Sequence, residues 1–222
     1  MRYCRLLVVV VVMQGTSSQA LCSIITLIPD RASMGSAEDV DWGQLGPAGT
    51  IVPQPFTATT NQGYHFTVLK NNSTTPYIRA DQGNGFQGDF LPGERLLYST
   101  SLTAFDMRFD PPIRSIGAQL QIDRFGTWTP YIRVFTTDGN DVSFQLPVDF
   151  NNQIADGSAP FVGVTSDQFT INRVLFDSFF GGNTAINNVS IISAPEPSSL
   201  LLSSLSILGV SAIRRYMKRS KG

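Results

Sequence analysis

Residues 105–122 read FDMRFDPPIRSIGAQLQI, and this stretch decides the fold class. Over residues 105–109 apolar side chains alternate with charged ones, and over residues 116–122 they alternate with glycine and glutamine. Apolar residues at every second position are typical of a β-strand that buries one face. Because proline cannot donate to a β-ladder, Pro111-Pro112 is expected to end the first strand before the second begins.

The same spacing recurs on both sides of this stretch. The further runs are 64–68, 77–80, 96–98, 128–135, 142–146, 161–164, 171–176 and 185–192. Turn-forming residues separate the runs, and no segment before Ser198 has apolar residues at helical spacing. Many short strands without intervening helices predict an all-β fold, an antiparallel β-sandwich of jelly-roll-like form over residues 55–192. Residues 21–54 are expected to form a loosely ordered lead-in segment.

Beyond this domain the chain carries three features in a fixed order. The tripeptide Pro195-Glu196-Pro197 comes first, and an uncharged apolar segment of 14 residues, 200–213, follows it. A basic cluster comes next: Arg214, Arg215, Lys218, Arg219 and Lys221. The segment is shorter than the roughly 20 residues that cross a bilayer as a helix, but long basic side chains that reach the headgroups reduce the deficit. Because basic flanks stay on the cytoplasmic side, the domain is expected to lie outside the inner membrane.

This arrangement, over residues 193–222, resembles the PEP-CTERM sorting signal of Gram-negative bacteria. The resemblance implies that an exosortase, a membrane cysteine transpeptidase, cuts the chain at the motif. The short transmembrane helix would then be a transient inner-membrane anchor, and the protein would pass to the cell surface or the extracellular matrix of a biofilm. The alternative is an uncleaved C-terminal anchor. The same motif also occurs on some ice-binding proteins, as a shared address.

The N-terminal residues carry a second targeting signal. Residues 1–5 form a short basic n-region with Arg2 and Arg5. Residues 6–13 read LLVVVVVM, and a polar stretch follows. Ser18 and Ala20 occupy the small-residue positions of a cleavage site. Residues 1–20 are therefore predicted to be a signal peptide with an apolar helix, cleaved after Ala20.

Charge and cysteine content narrow the class of protein. Residues 21–194 carry nine basic and sixteen acidic residues, a net charge of −7. An acidic domain repels phosphate backbones, which argues against nucleic acid as a partner. Cys4 leaves with the signal peptide, so Cys22 stands alone and no disulfide within the mature chain is expected.

Several short stretches between the two signals resemble a recurrent exported domain of PEP-CTERM proteins. The stretches are DWGQLG (41–46), PGE (92–94), IRSIGAQLQID (113–123), FVGV (161–164) and AINNVS (185–190). This second resemblance supports export and assigns no activity to individual residues.

Residue types that carry catalysis are sparse. His65 is the single histidine of the chain, so a zinc site with two histidines is excluded. No Gly-x-Ser-x-Gly nucleophile elbow occurs. The chain is therefore predicted not to be an enzyme and to need no cofactor.

One loop offers oxygen ligands for calcium. The glycine-rich residues 81–89 include Asp81, Asn84 and Asp89, whose oxygens suit a hard cation. The spacing is not that of an EF-hand, and a plain glycine-rich loop is the alternative. Residues 138–141, Asp-Gly-Asn-Asp, are interpreted as a hairpin turn.

Aromatic residues suggest how the domain could contact a ligand. Trp42 lies outside the strand pattern and is the candidate for stacking on a sugar, whereas Trp128 is expected in the core. The leading hypothesis is a non-enzymatic surface or matrix protein that contacts exopolysaccharide. The alternatives are a carbohydrate-active enzyme and an ice-binding protein.

Overall fold

The computed structural model describes residues 22–70, 73–101, 105–123, 127–146, 155–179 and 182–194. Within these ranges two 3-10 helices, Ala32–Met34 and Trp42–Leu45, accompany fifteen strands. The strands are β1 (Ile25–Ile28), β2 (Glu38–Val40), β3 (Ile51–Val52), β4 (Phe56–Thr59), β5 (His65–Lys70), β6 (Tyr77–Gln82), β7 (Gly85–Phe86), β8 (Arg95–Ser99), β9 (Phe105–Ile122), β10 (Thr129–Thr136), β11 (Asp141–Gln145), β12 (Phe161–Ser166), β13 (Ile171–Phe179), β14 (Thr184–Ile186) and β15 (Val189–Ser193).

The predicted all-β class is confirmed. The signal peptide with Ala20, the sorting tripeptide and the basic cluster lie outside the described residues. The two predicted terminal helices lie outside them as well. Within the described part of the chain, neither helix has the length and apolar character that a membrane crossing needs.

Strand β9 is the centre of the sheet. Its first half, 105–109, lies between β5 and β13, and its second half lies between β12 and β15. Its last three residues, 120–122, pair with β14. One strand of 18 residues therefore supports five neighbours.

The expectation that Pro111-Pro112 separates two strands is wrong. β9 continues through both prolines, and the Asp110–Pro111 peptide bond is cis. The pairing with β13 shifts register there, because Arg173 lies opposite Arg108 while Ile171 lies opposite Ile113. Proline is accepted at such a bulge because no ladder hydrogen bond is required from its nitrogen.

Three groups of strands extend from β9. The first runs β4-β5-β9-β13-β10-β11, and the second runs β1-β12-β9-β15-β2. The third runs β9-β14-β8-β6-β3, with β7 parallel to β6. All other described pairings are antiparallel, so the chain forms one large antiparallel sheet system.

The core follows from the two-residue period. On β10, Ile132 and Val134 are buried while the residues between them are partly exposed. Trp128, Phe105 and Phe176 are among the largest fully buried side chains. Trp128 thus lies in the core as predicted. Each large apolar side chain buried this way contributes about 1.5–3 kcal/mol to folding.

The lead-in segment differs from the sequence prediction. It contributes β1, which pairs with β12, β2, which pairs with β15, and β3, which pairs with β6. These strands are two to four residues long, too short to show a period. The segment is therefore part of the sheet system, and position 55 does not mark a boundary in it.

The predicted hairpin turn at residues 138–141 is confirmed, since it joins β10 and β11 with Gly139 at a φ of 94°. The backbone N–H of Ser23 donates to Asp138, and the Cys22 thiol donates to Asn140 Oδ1 over 2.7 Å. The start of the described chain is therefore tied to this turn.

Candidate functional site

The most distinctive surface lies on strands β5, β9, β13, β10 and β11, on the face opposite the core. We call it the polar face. Alternation along each strand directs apolar side chains inward and places a different set outward. The outward set comprises Thr67, Asp106, Arg108, Tyr131, Arg133, Phe135, Asp141, Arg173 and Asp177.

Asp106 is the centre of the polar face. Its carboxylate is 0% exposed and accepts two hydrogen bonds from Arg173, each 2.9 Å long. Arg108 donates to the same carboxylate over 3.2 Å. A buried carboxylate is tolerated when charged donors compensate it in this way. The Arg108 side chain remains 53% exposed, so its guanidinium is accessible to a ligand.

Phe135 lies beside two guanidinium groups. The central guanidinium carbons of Arg173 and Arg133 lie 4.8 Å and 4.9 Å from its ring centroid, which is cation–π distance. Arg133 also binds Asp141 through two hydrogen bonds of 2.7 Å and 2.6 Å. The hydrogen bonds from Arg133 hold the pKa of Asp141 below its usual range.

Tyr131 forms the other aromatic part of the face. Its ring centroid lies 4.6 Å from that of Phe179, and its hydroxyl donates to Asp177 over 3.3 Å. Burial, and then the negative charge of Asp177, raises the pKa of Tyr131 to about 12. Burial also raises the pKa of Asp177. Tyr131 is therefore a protonated phenol throughout the physiological pH range.

At the β4–β5 side the polar face continues into a shallow recess of about 200 Å³. Its lining consists of Thr57, His65, Phe66, Thr67, Arg108, Phe109 and Asp110. The Thr59 hydroxyl lies 2.9 Å from His65 Nδ1 and orients the imidazole. Hydroxyl, imidazole, guanidinium and carboxylate groups can donate to and accept from the hydroxyls of a sugar.

The structure corrects the proposed role of Trp42. Its side chain is fully buried, and its Nε1 donates to the Asn187 carbonyl over 2.8 Å. A ring enclosed by the core cannot stack on a sugar. The prediction failed because the lead-in segment was taken as loosely ordered, whereas it packs into the sheet system.

Two of the three calcium ligands suggested by the sequence have side-chain partners in the protein. Asp81 forms an ion pair with Arg79, and the nearly enclosed Asp89 accepts from the Gln121 side chain over 3.1 Å. Asn84 is exposed and bridges to Asp81 through the backbone. This donor set does not fit calcium well, because a cation at Asp81 would lie beside a guanidinium. Among the described residues, no group of three or more His, Cys, Asp or Glu side chains is suited to a metal.

Local sequence patterns indicate only a small part of the polar face. The alternation at 105–109 places Asp106 and Arg108 on one side of a strand, which is a visible signal. Arg173 lies 67 residues further along the chain, and only the strand pairing brings it to Asp106.

Neither a comparison with models of known protein families nor one with curated proteins finds a match to this chain.

Proposed function

We propose that this chain is an exported, non-enzymatic protein of the cell surface or extracellular matrix. An exosortase sorts it through Pro195-Glu196-Pro197, while the apolar segment and the basic cluster hold it at the inner membrane. Its domain is a jelly-roll-like sandwich to which β9 contributes in both layers. The two sets of neighbours along the two halves of β9 support this interpretation.

The polar face is the surface that contacts exopolysaccharide. The observation that carries this proposal is the combination of the accessible Arg108 guanidinium with the aromatic rings of Tyr131, Phe135 and Phe179 on adjacent strands. Aromatic rings pack on the apolar side of a sugar, and guanidinium and carboxylate groups bind its hydroxyls.

A non-enzymatic role agrees with the contacts of Asp106. Its carboxylate is enclosed and is held by Arg173 and Arg108. A carboxylate in that setting orients the two guanidinium groups and so fixes the geometry of the face. Binding without reaction is therefore the chemistry that the face supports best.

Binding of the mature protein to exopolysaccharide from the same bacterium tests this proposal. Arg108→Ala should weaken the affinity by about tenfold, because it removes an exposed donor while Asp106 keeps Arg173. Arg95→Ala is the matched control, since its side chain is 54% exposed and is also paired with an aspartate, Asp41. Equal affinities of wild type and Arg108→Ala would contradict the role of the polar face.

A further inference from the structure

A second recess, lined by none of the residues of the first, lies between β2, the turn that joins β4 to β5, and the end of β15. Its volume is about 280 Å³. The lining includes Ser36, Glu38, Gln62, Tyr64, Ile191 and Ser193. Nothing in the proposed contact with exopolysaccharide through the polar face uses these residues.

Glu38 gives this recess its chemical character. The residue is only 5% exposed, and its Oε2 accepts a hydrogen bond from the Thr60 hydroxyl. Among the described residues, the Thr60 hydroxyl is the one side-chain donor to the Glu38 carboxylate, and no ion pair includes Glu38. Arg31 pairs instead with Asp39, the next residue along β2, whose side chain lies on the other face of that strand. Glu38 Oε1 is not one of the fully enclosed side-chain atoms that lack a partner, so it is open to the recess and available to a positively charged donor.

Tyr64 forms an aromatic side of the recess. Its hydroxyl donates to the Pro111 carbonyl, and only 6% of the residue is exposed, so a ligand in the recess meets a small part of the ring. Burial, followed by the negative charges of Asp110 and Glu38, raises the pKa of Tyr64 well above its ordinary value. The negative charges of Asp110 and Glu38 act on the Tyr64 hydroxyl, and charges of this sign near the recess favour a cation in it.

The remaining lining is small and polar on one side and aliphatic on the other. Gln62 and Ser36 are exposed at the rim, and Ser193 is partly exposed. Their amide and hydroxyl groups can both donate and accept hydrogen bonds. Ile191 is buried and closes the floor.

We propose that this recess binds a primary ammonium group on a sugar, that is, a cationic amino sugar. Glu38 Oε1 accepts from the ammonium group, Gln62 and Ser193 bind the sugar hydroxyls, and the apolar side of the sugar meets the small exposed part of Tyr64. A lysine side chain presents the same ammonium group on an aliphatic chain, so the test must separate these two sources.

A ligand-observed NMR titration of the full-length chain in nonionic detergent micelles distinguishes an amino sugar from a lysine side chain. The probes are glucosamine, N-acetylglucosamine and Nα-acetyl-lysine methylamide. Glucosamine should bind at least about tenfold more tightly than N-acetylglucosamine, because acetylation removes the charge. It should also bind more tightly than the lysine probe, which lacks ring hydroxyls. Equal binding of the two sugars would overturn the role of the ammonium group, and equal or tighter binding of the lysine probe would overturn the assignment to a sugar.

Two variants locate the site. Glu38→Gln keeps an acceptor for Thr60 and removes the charge, so glucosamine affinity should fall at least about tenfold. Asp39→Asn removes the same charge from the other face of β2 and should change the affinity by less than about twofold. Unchanged affinity in Glu38→Gln would contradict the site.

If Glu38→Gln does not fold, Ser36→Trp tests the same site from the exposed rim, where it should block binding with Glu38 intact. Unchanged glucosamine binding in Ser36→Trp would contradict the site. Arg108→Ala should leave glucosamine binding unchanged, which separates failure of this recess from failure of the polar face.

Discussion

At the scale of single residues, the buried Asn187 side chain makes four hydrogen bonds. Its amide oxygen accepts from Arg31 and from the backbone N–H of Gln119, and its amide nitrogen donates to Glu94 and to the Gln119 side chain. Its backbone carbonyl accepts from Trp42. Asn187 therefore joins the lead-in segment, the residue that precedes β8 and the central strand β9.

Asn187→Ala is expected to lower the free energy of unfolding by about 2–4 kcal/mol, because four hydrogen bonds of the amide to three partly buried residues are lost. Asn188→Ala is the matched control. Arg31 binds the backbone carbonyl of Asn188, which alanine retains, so this change should cost less than about 1 kcal/mol. Denaturant titration measures both values, and equal losses in the two variants would show that the network does not stabilise the fold.

Lys70 is a buried cation. It is 3% exposed, its Nζ donates to the Pro76 carbonyl over 2.9 Å, and the same atom lies 4.6 Å from the Tyr77 ring centroid. Burial lowers the pKa of Lys70 to about 8. The charged form is therefore less favourable in the folded protein than in the unfolded chain.

The lowered pKa of Lys70 sets the direction of a pH dependence. Between about pH 8 and the ordinary lysine pKa of about 10.4 the unfolded chain binds more protons, so this residue makes stability rise with pH. Above about pH 10 the raised pKa values of Tyr98 and Tyr131 act in the opposite direction, because the folded protein then binds more protons.

Lys70→Met should remove the rise of stability with pH, and it should increase the free energy of unfolding below pH 8. Denaturant titration of wild type and variant between pH 7.5 and 9.5, a range chosen around the lowered pKa of about 8, measures this difference. The same pH slope in both proteins would contradict the assignment.

At the scale of elements, the pairing of β9 with β12 depends on two facing glycines. Gly117 lies opposite Gly163, and the ring of Phe161 covers both. A Cβ at Gly117 would clash with the tip of this ring and would lie 3.1 Å from the Gly163 Cα. Aromatic cover of this kind compensates the weakness of glycine in a strand.

Gly117→Ala is expected to destabilise the protein by about 1–3 kcal/mol through overpacking. In the background of Phe161→Ala the same change should cost clearly less, because the ring that it meets is gone. A double-mutant cycle by thermal or denaturant unfolding measures this coupling. Strictly additive losses would show that the ring and the glycines act independently.

The elements show which parts of the fold a sequence can reveal. The two-residue period identified both halves of β9, and residues 77–80 and 96–98 were found as strands β6 and β8. The continuity of β9 through Pro111-Pro112 was missed, because it depends on the exchange of neighbouring strands at that point. Strands β1 and β2 of the lead-in segment were missed because partners over a hundred residues away stabilise them.

At the scale of the whole molecule, some candidate sites depend on local sequence and others depend on residues that are distant in the chain. The targeting signals depend on local composition and could be predicted from sequence, and they stay predictions because they lie outside the described residues. The polar face depends on cross-strand neighbours such as Asp106 and Arg173, which no local pattern places together. Trp42 was predicted to be a surface site because the short strands on either side of it were not recognised. The structure places its side chain in the core.

The sorting proposal also makes a prediction at this scale. Pro195 and Pro197 favour an extended backbone around Glu196, which is the form a transpeptidase needs. Glu196→Ala lies outside the apolar segment, so it should leave membrane insertion intact but stop cleavage. Replacing the basic cluster by neutral residues should instead disturb retention and orientation before cleavage.

Mass spectrometry of the protein recovered from outside the cell shows whether the C-terminal signal is processed. Sorting by an exosortase predicts a mature chain that begins after Ala20 and lacks the apolar segment and the basic cluster, and it predicts that Glu196→Ala keeps its C-terminal residues and stays in the inner membrane. A wild-type protein recovered outside the cell with its sequence intact through Gly222 would contradict the proposed sorting, and the tail would then be a simple anchor.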